Sequence, residues 1–117
     1  MDSPFATDAV CLSLDEALNI HAPGTYLVRC LGDRMIGVGI HSGDLLVVDK
    51  GIEPATGQVV IGVVNNEPMV ELLDRCGRMH VLRSANPAYP LRYILEGDEF
   101  SVWGVVTHSV RAHDRQL

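Results

Sequence analysis

A mainly β, partly barrel-like single domain is the fold that this sequence predicts, and three observations carry the prediction. From Thr25 onward the apolar period is two, and short apolar runs of strand length recur almost to the end of the chain. Glycine, proline and asparagine punctuate those runs at short spacing, as turns between antiparallel strands do. A single stretch near the N-terminus has a helical period. The 117 residues suffice for one core and not for two.

Each element follows in order. Residues 1–10 read as a flexible arm without apolar period. Ser13 is placed to cap a short helix, with Glu16 three residues later completing a capping box. Leu14, Ala17, Leu18 and His21 then share a face that is expected to pack on a sheet edge, until Pro23-Gly24 stops the helix. Tyr26, Val28 and Cys30 alternate with Leu27, Arg29 and Leu31 as a half-buried strand. A glycine-punctuated stretch, Met35 to Ile40, leads through His41-Ser42-Gly43 to Asp44–Asp49, a run buried on both faces. Gln58–Val64 is a second such run, and Asn65-Asn66-Glu67 signals a hairpin into Met69–Leu73. Asp74–Gly77 turns into Met79–Leu82. Asn86-Pro87-Ala88-Tyr89-Pro90 is a rigid loop, because each proline fixes its own φ and pushes its neighbour extended. Leu91–Leu95 is a further strand, Phe100–Val110 the last and longest, and residues 111–117 a polar tail.

Composition narrows the function. Nine Lys+Arg against fifteen Asp+Glu leave 9 − 15 = −6, which excludes a free-standing DNA binder that needs a basic face. No apolar run approaches the roughly 18 residues of a membrane span, and no basic-then-apolar leader opens the chain, so a cytoplasmic protein is expected. Cys11, Cys30 and Cys76, odd in number and far apart, fit reduced thiols. The five histidines lack metal-ligand spacing, His108 and His113 beside Asp114 being the nearest approach, and no cofactor motif is present. Asp33, Asp44 and Asp49 adjoin turns, where aspartate bonds local backbone N–H groups. Trp103 reads as core.

Three blocks are more specific: Gly32-Asp33-Arg34-Met35 followed by Gly39 to Asp49, then Asn86-Pro87-Ala88-Tyr89-Pro90, then Val102-Trp103-Gly104-Val105-Val106-Thr107. In this order they resemble the UmuD/LexA (peptidase S24) family of Ser-Lys self-cleaving proteins, and within it the UmuD branch. The resemblance implies the LexA C-terminal, signal-peptidase-like fold of several curled antiparallel sheets with an SH3-like barrel portion and one short N-terminal helix. It also implies a serine nucleophile on the glycine-rich turn and a buried lysine base on a later hairpin strand, an amine whose pKa burial depresses. Arg34 stands at the first position and Glu71 at the second. Arginine has no hydroxyl and stays protonated, and a glutamate base has nothing there to activate. Ser3 to Asp8 resemble the arm just after the cleavage point, so the chain is expected to begin where a processed protein would.

The resemblance therefore implies a catalytically inactive, UmuD′-like accessory subunit of an error-prone translesion polymerase in the SOS response. Its partners would be a second copy or a UmuD-like paralogue, a Y-family polymerase of the UmuC type and the RecA filament, with no direct nucleic-acid binding. Phe100, Val102, Val105, Val106 and Val110 are the expected dimer surface, on the reasoning that this strand has a flat exposed edge. The alternative is a regulatory decoy that dimerises with an active UmuD/LexA-like protein and modulates its self-cleavage. A third reading, a residual peptidase using Ser42 or Cys30, lacks an adjacent base. Arg34 and Glu71 are expected either to form an ion pair filling the old active-site cleft or to point separately to solvent.

Overall fold

The computed structural model describes residues 13–114. The expected arm and cap-to-tail termini at 1–12 and 115–117, including Cys11, lie outside them. Strands β1 (Thr25–Arg29), β2 (Leu45–Asp49), β3 (Val59–Val64), β4 (Glu67–Cys76), β5 (Met79–Arg83), β6 (Arg92–Tyr93) and β7 (Phe100–Val110) follow helix α1 (Leu14–Leu18). All pairings are antiparallel, and the strands join in one sheet in the order β1-β2-β7-β3-β4-β5-β6. The mainly β class holds; the several sheets expected are one continuous seven-stranded sheet.

The helix is shorter and looser than its capping signals suggest. The Ser13 side chain makes no cap hydrogen bond, so no capping box closes, and the helix stops at Asn19, which takes the left-handed conformation at φ 55°. None of its residues is buried, so the expected packing on a sheet edge does not occur. One turn of helix has little hydrogen bonding to offset nucleation, and apolar burial does not help it here.

Strand hairpins follow the sequence closely. Asn65 and Asn66, at φ 50° and 69°, make the two-residue turn from β3 to β4, a backbone that asparagine tolerates and whose twist matches the strands. Gly77 at φ 63° turns β4 into β5, with Cys76 facing Met79. The run Leu91–Leu95 reduces to the two residues of β6, although Ile94 still donates to the His80 carbonyl.

β7 lies in the interior of the sheet and pairs with β2 on one side and β3 on the other. The expectation that it offers a flat edge is thus overturned: its backbone groups are engaged on both sides, and Val105 is buried. Neighbouring residues of the central strands feed two cores on opposite faces. Ile61 joins Cys30, Met35, Ile40, Leu46 and Val48 with Val106 packed against them, while Val60 and Val105 join Val64, Leu73 and Leu82. Burial on both faces explains why β2 and β3 read as continuous apolar runs.

The two register shifts of β7 explain a misreading. Against β3, Ile61 faces Gly104 and Gly62 faces Val102, so Trp103 is the extra residue of a bulge; against β2, Thr107 is the extra residue. Strict alternation puts Trp103 on the same side as Val105. The bulge shifts the parity, so Val102 and Val105 share the core face and Trp103 emerges, 48% exposed. Trp103 is therefore not core.

Arg111 is a structural residue and not part of a free polar tail. Its Nε donates to Asp44 Oδ1 at 2.8 Å and one Nη donates to Asp44 Oδ2 at 2.9 Å and to the Gly39 carbonyl. Asp44 is buried, and its Oδ2 also accepts the His41 N–H. Asp49 accepts the Gly51 N–H, as its turn position predicts. The Arg111 hydrogen bonds hold the Asp44 carboxyl at a pKa of about 2, below its ordinary range. A depressed carboxyl pKa adds stability above the unfolded value and loses it as pH falls toward the folded one. Asp44→Asn is expected to lower unfolding free energy at pH 7 by about 2 kcal/mol, since it removes charge-assisted bonds. Urea titrations at pH 7 and pH 2.5 check this: the gap between variant and parent must shrink at the lower pH.

Candidate functional site

The site forms where the loop after β1 meets β4 and the loop after β5. Gly32, at φ 89°, turns the chain out of the first strand, and its N–H donates to Ser42 Oγ. Met35 is buried in the core and pins the loop, and a 3-10 turn at Ile36–Val38 follows. The Gly37 N–H donates to the Ala85 carbonyl at 2.7 Å. A Cβ at position 37 would sit 2.4 Å from that oxygen, so only glycine permits the approach. Asn86 Nδ2 donates to the Asp33 carbonyl at 2.9 Å while its Oδ1 accepts the Ala88 N–H. The Tyr89 hydroxyl donates to the Asp33 carboxylate, which raises the phenol's pKa. The two loops are thereby tied at three points.

This tie places Arg34 and Glu71 together. Arg34 Nη1 donates to Glu71 Oε1 at 3.4 Å, and the guanidinium lies over the Tyr89 ring, 4.3 Å from its centroid. The Glu71 side chain is 3% exposed against 46% for Arg34. The other carboxylate oxygen accepts the Ser84 hydroxyl at 2.8 Å. Burial pushes the Glu71 pKa up, and the hydrogen bond from Ser84 and the charge and bond of Arg34 pull against it. The pair does not fill a cleft, as the sequence suggested. It lines an open cavity of about 420 Å³ together with Met69, Leu82, Pro90 and Leu91 among others.

Other sequence candidates fall elsewhere. Cys30 is buried, and burial raises its thiol pKa, the wrong direction for a nucleophile. Ser42 is exposed and accepts from Gly32. His108 Nδ1 lies against the Thr107 hydroxyl, and among the described residues no three His, Cys, Asp or Glu gather to hold a metal. Sequence reasoning missed the roles of Ser84, Asn86 and Tyr89. For Asn86 a signal existed: asparagine before proline favours a turn in which its side chain bonds the backbone two residues on.

The domain is mainly β and sets a glycine-rich loop against a buried side chain of a hairpin strand, beside an open cleft. Residues 4–107 match the family model described as Peptidase S24-like, and the chain belongs to that family. It is 42% identical to Protein SamA of Salmonella typhimurium over 77% of this chain and 64% of that protein. It is 36% identical to Protein MucA of Escherichia coli over 87% of this chain and 70% of that protein. A LexA repressor, from Colwellia psychrerythraea, is 33% identical over 79% of this chain and 44% of its own length. The chain thus matches part of each relative.

The energetics of the pair give a pH signature. A raised carboxyl pKa contributes stability that is present below the ordinary glutamate range and lost as pH rises through the folded value. Arg34→Ala is expected to destabilise by about 1 kcal/mol at pH 8, because it strips a cation from a buried carboxylate, while solvent screening of the half-exposed guanidinium limits the loss. Glu71→Gln, which keeps an acceptor for Ser84, is expected to remove that sensitivity to Arg34. Thermal unfolding of the two single variants and the double variant at pH 4 and pH 8 measures the coupling; additive effects at both pH values would refute it.

Proposed function

We propose that this chain is a catalytically silent, UmuD′-like accessory subunit of a translesion DNA polymerase, acting in the SOS response through dimerisation and protein binding. The ion pair between Arg34 and Glu71 carries the reading. At the positions that the family resemblance gives to nucleophile and base, the side chains are a guanidinium without a hydroxyl and a carboxylate that accepts from two donors. A Ser-Lys mechanism needs a hydroxyl that loses a proton to a neutral amine. Neither group is present at 34 or 71. The likeness to SamA and MucA supports the UmuD branch over the repressor branch.

The partners in this reading are a second copy or a UmuD-like paralogue, a Y-family polymerase of the UmuC type and the RecA filament, in the cytoplasm. A dimer through β7 would use either the partly exposed Phe100 and Val102 on one face of the strand or the partly exposed Val106 on the other, with Val105 contributing only to the core beneath. A pull-down with a UmuC-type polymerase and with a full-length UmuD-like protein separates the accessory role from the decoy: retention of the second alone makes it a decoy.

Incubation with activated RecA filament, using a catalytically dead UmuD-like protein as substrate, tests the silence. The unaltered chain is expected to cut neither itself nor the substrate. Arg34→Ser combined with Glu71→Lys is expected to gain trans-cleavage, since the loop and cleft are retained, and either change alone to gain none. Cleavage by the unaltered chain that disappears in Ser84→Ala would overturn the proposal, because it would make Ser84 a nucleophile with Glu71 as its base.

A further inference from the structure

The hollow on the far side of β7's first bulge has no part in the cleft, and its chemistry is distinct. Gly24, Thr25, Tyr26, Lys50 and Trp103 line an apolar concavity of about 360 Å³. The sequence contains one tryptophan and one lysine, and both stand at this place. Trp103 is here because it is the extra residue of the bulge, which turns its indole away from the core. Tyr26 is fixed beside it: its hydroxyl donates to the Trp103 carbonyl at 3.4 Å. Lys50 Nζ lies 5.6 Å from the centroid of the Tyr26 ring. Among the described residues no carboxylate pairs with that ammonium, and the adjacent Asp49 side chain is held by the Gly51 N–H.

Bulges recur where a side chain is re-aimed beside a functional surface, and tryptophan and tyrosine are both enriched at the energetic centres of protein contacts. The aromatic walls accept a flat or ring-bearing apolar group. The ammonium at the rim, without an acidic partner, accepts a carboxylate next to it. We infer that this hollow is a docking site for a partner protein's segment that carries an aromatic side chain adjacent to an aspartate or glutamate. A single-stranded nucleic acid would also stack on Trp103 and Tyr26, but a phosphate backbone needs a row of cations, whereas this hollow has one on a chain of net charge −6. The inference is independent of the accessory-subunit reading, because it draws on neither Arg34 nor Glu71.

The single tryptophan makes the test site-specific, since all indole emission of the chain comes from the hollow. The capped peptide acetyl-Gly-Phe-Asp-Gly-amide is titrated into the protein and Trp103 fluorescence followed, beside the same peptide with Asn or Lys in place of Asp. Saturable change is expected with the Asp peptide, at an affinity about three- to fivefold above the Asn peptide, the range of an exposed ion pair. Lys50→Glu, a change at an exposed side chain, is expected to invert the order so that the Lys peptide binds best. Trp103→Ala is expected to abolish binding by calorimetry. Equal binding of the three peptides, no saturable change, or an order unaltered by Lys50→Glu would overturn the inference. So would saturable quenching by oligothymidylate at lower concentration than by the Asp peptide. An emission change that follows protein concentration alone would give the hollow to a second copy and overturn it too.

Discussion

The fold depends on β7 being paired along both edges. β2 and β3 do not pair with each other, so the β1-β2 part of the sheet and the β3-β4-β5-β6 part are joined through this one strand. Its eleven residues must therefore serve two registers at once and send side chains into cores on opposite faces. A regular strand has a period of two and cannot place Val102 and Val105 on one side. The bulge at Trp103 resolves that conflict, and the bulge at Thr107 adjusts the pairing with β2. Gly104 follows from the same crowding: a Cβ there would lie 2.6 Å from Val48 Cγ1 and 3.2 Å from the Asp49 carbonyl, both on the strand it pairs with.

On that frame two buried carboxylates have opposite electrostatic fates. Asp44 receives a two-pronged guanidinium and a backbone N–H, and these outweigh its desolvation, so its charged form is favoured. Glu71 receives a hydroxyl and a single, long guanidinium contact, and desolvation prevails. The difference lies in the donors. Arg111 presents its planar fork to both oxygens of Asp44, whereas Arg34 is stacked over Tyr89 and reaches Glu71 with one nitrogen. Acid thus weakens the first site and relieves the second, so the two contributions to stability run in opposite directions with pH.

Much of this was legible in the residues, and the failures have physical causes. Turn chemistry located the hairpins, since two adjacent asparagines before a second apolar run tolerate the positive φ that the turn needs. The continuous apolar runs of β2 and β3 announced burial on both faces. The positions of Arg34 and Glu71 were found through resemblance, because nothing in spacing alone joins residues 37 apart. Long-range pairing hid the rest. The Asp44–Arg111 link spans 67 residues, and the Ser84 bond to Glu71 exists only because β4 and β5 bring them side by side. Trp103 was misplaced because alternation cannot reveal a bulge. The helix was overestimated because capping residues indicate where a helix can start, while its length depends on burial that α1 lacks.

The cleft beside Arg34 and Glu71 is open because of how the pair is arranged. An arginine collapsed onto Glu71 would occupy the cavity. Instead the Tyr89 ring supports the guanidinium, Tyr89 is held by Asp33, and Asp33 is held through its carbonyl by Asn86. The long side chain is thereby laid along the wall, with nearly half its surface in solvent. Glu71 meanwhile has its second oxygen satisfied from within the sheet by Ser84, so it does not need Arg34 to come closer. A weak ion pair is sufficient in such a place, because the loop ties, and not the pair, carry the geometry.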